Sequence, residues 1–251
     1  MAFTFKRLAL SGLVFLSIVS FATDRAYTLE DLKHLADSNS WKELLEHAED
    51  VAPASRNAQW NTWVEKSATA EVKSMPNGGM KAYRAWVLAS RYPFLAQGKE
   101  FVALRNGLTL EAYEGCFEYS DTGDFCTQGL KEYVSAHPDK AGEAARIVSL
   151  KLNIVGALPF YSEAAKTQKV AICKEEPLHR AVVAGFSQPD AKPLGLARGL
   201  ASVCARESKE ALLAALDQGG SYFSENACGF LLEQKWLSGL REKKCRRLAK
   251  Q

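Results

Sequence analysis

The amino-acid sequence predicts an all-α protein built of antiparallel helical hairpins stapled by disulfides. Apolar residues recur at three- and four-residue spacings through most of the chain, and alternating β-branched runs are hard to find. The breaks between periodic segments carry Gly, Pro, Ser or Asp, as helix–helix connections should. Six cysteines, an even number, stand at 116, 126, 173, 204, 228 and 245 of a chain that opens with an export signature.

That signature is MAFTFKRLALSGLVFLSIVSFA. Lys6 and Arg7 precede an apolar run from Leu8 to Phe21, and Ser20 and Ala22 are small residues at cleavage spacing. Residues 1–22 are therefore expected to be a signal peptide, its run shorter than the roughly 20 residues of a spanning helix. No later segment is long and apolar enough to cross a bilayer, so the mature chain is expected to be exported, periplasmic or secreted, without a transmembrane span. Removing the signal takes the formal net charge from +3 to +1, which makes no case for a nucleic-acid partner.

Thr28 opens a short helix through Leu29, Leu32 and Leu35. A second begins at Trp41, with Trp41, Leu44, Leu45 and Ala48 on one face and Ser40 with Glu43 spaced as a capping box. A third runs from Asn57 to Lys66 on Trp60, Trp63 and Val64. The stretch Met75-Pro-Asn-Gly-Gly79 is the best boundary, dividing an amino-terminal helical segment (23–75) from a main helical domain (80–251).

Beyond it, Met80 to Ser90, Gly98 to Asn106 and Leu108 to Tyr119 read as helices. Asp139 to Val155 is apolar nearly all round, which predicts a central helix. Five further helices follow: Glu175 to Gly185, Lys192 to Cys204, Ser208 to Asp217, Ser221 to Leu237 and Leu240 to Ala249. Short helices in this succession resemble HEAT- or tetratricopeptide-type arrays in style, and the resemblance implies an irregular solenoid-like stack. No consensus of either family recurs at a fixed period.

Placed on those helices, Cys116 and Cys126 flank one turn, Cys173 and Cys204 bound an antiparallel pair, and Cys228 and Cys245 lie either side of Ser238-Gly239. Nearest-neighbour bridges 116–126, 173–204 and 228–245 are expected, out of 15 connectivities. Paired short Cys spacings that would hold zinc are absent.

Catalytic and metal motifs are fragmentary. Asp121-Thr122-Gly123 matches half of an aspartic-protease pair, but that chemistry needs two carboxylates sharing a proton, and a polar Gly-containing turn accounts for the tripeptide. Glu118, Asp121 and Asp124 carry oxygens suited to calcium without EF-hand order. Glu176-Pro-Leu-His179 has di-iron spacing and no second copy. His34, His47, His137 and His179 are scattered, and no cofactor is expected. Trp41, Trp60, Trp63 and Trp86 all fall on apolar stripes, which predicts core packing rather than sugar stacking.

Charge is segregated although the total is small. Residues 28–50 hold seven acids and two lysines, and residues 233–251 hold seven basic residues and two acids. Arg241, Lys243, Lys244, Arg246 and Arg247 form a candidate interaction surface for an anionic partner, lipid headgroups included. The expected function is a non-catalytic scaffold or binding protein for a protein or envelope component. A hydrolase or lyase of an envelope polymer, using two cleft carboxylates, is the alternative.

Overall fold

A computed structural model describes residues 26–216, 218 and 220–248, without the side chains of residues 169 and 170. The expected signal peptide, 1–22, lies outside the described residues. Among these residues there are fourteen α-helices, four 3-10 segments and no strand. The helices are α1 (Leu29–Asp37), α2 (Trp41–His47), α3 (Ala58–Ser74), α4 (Gly79–Arg91), α5 (Lys99–Asn106), α6 (Leu110–Cys116) and α7 (Asp124–Ala136). They continue as α8 (Ala141–Lys151), α9 (Leu158–Gln168), α10 (Glu176–Phe186), α11 (Ala191–Val203), α12 (Ala205–Ala215), α13 (Ser221–Glu233) and α14 (Gly239–Leu248).

Local chemistry sets most of the boundaries. Thr28 caps α1 reciprocally: its hydroxyl accepts from the Asp31 amide while the Asp31 carboxylate accepts from the Thr28 amide. The capping box expected at Ser40 does not form. Ser40 shares a hydrogen bond with the Ser38 hydroxyl, and Glu43 is taken by the phenol of Tyr27. Asn57 caps α3 by accepting from the Trp60 amide. The 3-10 turns Pro53–Ser55, Pro93–Gln97 and Pro138–Lys140 each open on proline, whose fixed φ and missing N–H suit a first turn.

The expected helix from Asp139 to Val155 is shorter than its composition suggests. It stops at Lys151, where the amides of Leu152 and Asn153 both turn onto the Val148 carbonyl and the Asn153 side chain accepts from Gly156. Only Ile147 and Val148 of its large aliphatics are buried, and Leu150 is 80% exposed. The centre of this region is α9, absent from the helices expected above, which buries Leu158, Phe160, Tyr161 and Ala164.

Packing stays local in chain order. The most extensive contacts join α4 to α6, α10 to α11, α2 to α3, α8 to α9 and α13 to α14, and no substantial pairing reaches beyond three helices along the chain. The buried apolar residues nevertheless form one cluster running from Leu32 to Cys245. At the crossing of α4 and α6, Gly79 meets the backbone of Gly115 directly, so two helices touch without side chains between them.

Three disulfides tie the array: Cys116–Cys126, Cys173–Cys204 and Cys228–Cys245, with Cα separations of 5.7, 5.2 and 4.9 Å. The first joins α6 to α7 and the third α13 to α14. The second runs from the 3-10 turn Lys169–Lys174 to the α11–α12 joint. Each bridge brings together elements that the chain already holds close, which is why nearest-neighbour pairing satisfies the geometry.

Candidate functional site

An open groove of about 680 Å³ lies between α2 and the carboxy-terminal end of α3. One wall carries Trp41, Lys42, Glu43, Glu46 and His47; the other carries Ala70, Glu71 and Ser74. Amphipathic spacing creates it. Leu44 and Leu45 of α2 and Val72 of α3 point into the core, which turns the intervening acids outward along the groove. Trp41 is half-buried rather than enclosed in the core as its stripe suggested, and it lines the groove. Trp60, Trp63 and Trp86 are buried.

The groove's acids have set partners. Glu43 Oε1 accepts from the Tyr27 hydroxyl at 3.1 Å, and that bond to a carboxylate raises the Tyr27 pKa. The Tyr27 ring stacks on His47 at 3.8 Å between centroids, and His47 Nδ1 lies 2.8 Å from Asp50 Oδ2. Glu71 receives both Nε and Nη2 of Arg84, at 2.7 and 3.2 Å. Glu46 lies 3.9 Å from Lys42. Arg84 already meets the charge of Glu71, which leaves Glu43, held by Tyr27, and the exposed Glu46 as the groove's acceptors for a cationic group. His47 has an orienting carboxylate, but among the described residues no hydroxyl bonds to its other nitrogen to complete a nucleophile–base pair.

A second pocket, of about 140 Å³, lies where α4, α5, α6 and α7 meet. The Arg105 guanidinium sits 4.4 Å over the Trp86 ring and donates to Glu132 at 2.9 Å. Trp86 donates to the Tyr113 hydroxyl at 3.3 Å, and burial pushes the Tyr113 phenol up. Tyr133 meets Tyr113 edge-on and stacks on His137. The polar atoms here hold four helices in register through one another.

The residues singled out by motif are separated. Asp121-Thr122-Gly123 is a turn: Gly123 adopts φ 68°, its amide donates to the Ser120 hydroxyl, and the Asp124 amide donates to Thr122. Glu118 pairs with Lys151, not with the neighbouring aspartates. Glu176 pairs with Arg180, and His179 hydrogen-bonds the Cys173 carbonyl, so the di-iron spacing is used locally. Among the described residues no group of three His, Cys, Asp or Glu side chains is placed to hold a metal ion.

On α14, Cys245 is buried in its bridge while Arg241, Lys243, Lys244, Arg246 and Arg247 are exposed. Arg246 is held by Glu242 at 2.7 Å. Leu240 is 84% exposed and shares a shallow hollow of about 290 Å³ with Lys243, Lys244, Arg247 and Leu248.

The acidity of α2 is legible in the sequence but the opposite wall is not, because the helix expected from Asn57 to Lys66 stops short of Glu71 and Ser74. The signal was present in Ala68 and Val72, which continue the four-residue apolar spacing from Val64. Compared with protein-family models, curated proteins and solved structures, the chain finds no match. No helix among the described residues is long and apolar enough to cross a membrane.

Proposed function

We propose that the chain is an exported, non-catalytic binding protein of the periplasm or extracellular space. Its helical hairpins form an irregular solenoid-like stack, and the acidic α2–α3 groove receives a cationic segment of a protein partner. Local packing in chain order supports the stack reading, since solenoid repeats chiefly contact their neighbours. Three disulfides and the export signature support the compartment.

The observation that carries the binding reading is the groove itself: acids held in place by Tyr27 and Arg84 along a half-exposed Trp41. A cationic side chain entering there meets the carboxylates of Glu43 and Glu46 beside an indole, which together favour Lys or Arg. The groove falls within residues 39–74, inside the amino-terminal segment that the Met75–Gly79 break delimits.

Calorimetric titration with a Lys/Arg-rich peptide and with a Glu-rich peptide of equal length tests this. The basic peptide is expected to bind, to weaken steeply with salt, and to be lost in Glu43→Lys/Glu46→Lys; the acidic one is expected not to bind. Equal affinity for both peptides, or basic-peptide binding unchanged by the charge reversal, would refute the reading.

A further inference from the structure

We infer that the occupant of the α2–α3 groove is helix α14 of a second copy of this chain, so that molecules associate head to tail. The inference rests on the groove reading above and adds the identity of the partner. Both halves of the contact lie on the same molecule.

The acceptor half is the groove lined by Glu43, Glu46 and Glu71 with Trp41 beside them. The donor half is the exposed face of α14, where Leu240, Lys243, Lys244 and Arg247 recur at the i, i+3, i+4, i+7 spacing of a single helix face. An apolar anchor is thus flanked by cations, and the acceptor offers an indole flanked by carboxylates.

The lengths match. At about 1.5 Å per residue, Leu240 to Arg247 spans roughly 10 Å, and Trp41 to His47 spans about 9 Å. The flanking sequences match in sign as well, with seven acids against two lysines over residues 28–50 and seven basic residues against two acids over residues 233–251. The net charge is small, +3 for the whole sequence and +1 once residues 1–22 are removed, so long-range repulsion between copies is weak.

The two surfaces are kept apart within one molecule. The substantial packing of α14 is against α13 and that of α2 is against α1 and α3; Arg246 pairs with Glu242 within α14 and Lys42 with Glu46 within α2. The Cys228–Cys245 bridge presents α14 as a fixed element, so little ordering is needed when it docks. A groove near one terminus of the chain and a complementary helix near the other make a heterologous contact, which propagates instead of closing as a two-fold dimer does.

Sedimentation velocity of the oxidised full-length protein over a wide concentration range, at about 20 mM and about 500 mM salt, tests the inference. At low salt the weight-average coefficient is expected to rise with concentration, and at high salt association should weaken at least tenfold. Lys243→Glu/Arg247→Glu and Glu43→Lys/Glu46→Lys are each expected to sediment as monomers. Mixed in equal amounts they should associate again, because each then meets the opposite charge. If either double variant fails to keep the wild-type circular dichroism, Arg247→Glu and Glu46→Lys are mixed in their place.

Wild-type protein that stays monomeric throughout overturns the inference, as does association that survives either reversal. If that monomer still binds the basic peptide, the groove reading stands and only the second copy is lost. If it instead co-sediments with phosphatidylglycerol vesicles through α14, the helix's occupant is lipid and the inference falls.

Discussion

Replacing Gly79 by alanine should loosen the α4–α6 crossing more than any other single methyl group added to a glycine there. A Cβ on Gly79 would lie 2.1 Å from the Gly115 carbonyl carbon, 2.2 Å from its oxygen and 2.6 Å from the Cys116 amide nitrogen. Non-bonded carbons settle near about 3.5–4.0 Å, so α4 must retreat from α6 by roughly 1.5 Å. No rotamer change can relieve the clash, because every atom met is backbone. Nor can α6 yield alone, since Cys116 is bridged to Cys126 of α7.

Overpacking of this kind costs about 1–3 kcal/mol, and an all-backbone clash belongs at the upper end. At roughly 2–4 °C per kcal/mol for a chain of this size, about 3 kcal/mol lowers the thermal midpoint by roughly 6–12 °C. Gly115→Ala meets its nearest atom at 3.2 Å and should lose about a third as much. Gly199→Ala in α11 meets nothing within 4 Å and should be neutral or gain up to about 1 kcal/mol by restricting the unfolded chain. Scanning calorimetry of the oxidised proteins reads all three. A Gly79→Ala midpoint within about 2 °C of wild type, or a Gly199→Ala loss exceeding it, would refute the packing argument.

The disulfides and the pH response give two further tests. The bridges close spans of 10, 31 and 17 residues, so the chain-entropy account assigns about 2.7, 3.7 and 3.1 kcal/mol to 116–126, 173–204 and 228–245. Denaturant unfolding of the paired Cys→Ser variants should therefore rank Cys173–Cys204 as the costliest loss, and finding Cys116–Cys126 costliest contradicts it. Glu49 of the α2–α3 connection pairs bidentately with Arg91 of α4, and that hydrogen bond holds the Glu49 carboxyl below its ordinary value of 4.5. Because the folded value is depressed, the pair's stabilisation is present above about pH 4.5 and is lost as pH falls through the folded value. Both side chains are about two-fifths exposed, 43% and 40%, so screening limits the effect to roughly 0.2–1 kcal/mol. The midpoint difference between wild type and Glu49→Gln should shrink from about pH 6 to about pH 3, and a constant or widening difference would count against it.

Much of the fold was legible because helical period and disulfide chemistry are local. Thr28, Asn57 and the prolines at 53, 93 and 138 act through their own hydroxyl, amide or ring, and the structure uses each of them within a turn of its position. Cysteine pairing was legible for a related reason: helices of this length fold back on their neighbours, so bridge partners are near in sequence as well as in space. The Ser40 cap failed because a competing acceptor arrangement was available, with Ser38 beside it and Tyr27 reaching Glu43 from outside the helix. Helix α9 went unnamed because the apolar run before it masked the turn at Asn153 to Gly156.

The sequence by itself determined the helical class, the three clasps and the opposite charges of the two ends. Tertiary structure decided that Glu71 and Ser74 face Trp41 and Glu43 across an open groove, and that Leu240 stands out among the cations of α14. The physical reason is that helical period reports which face of one helix is apolar, whereas a groove requires two such faces to diverge. That divergence depends on where α3 ends and how α2 crosses it, and both are fixed by packing against the rest of the core.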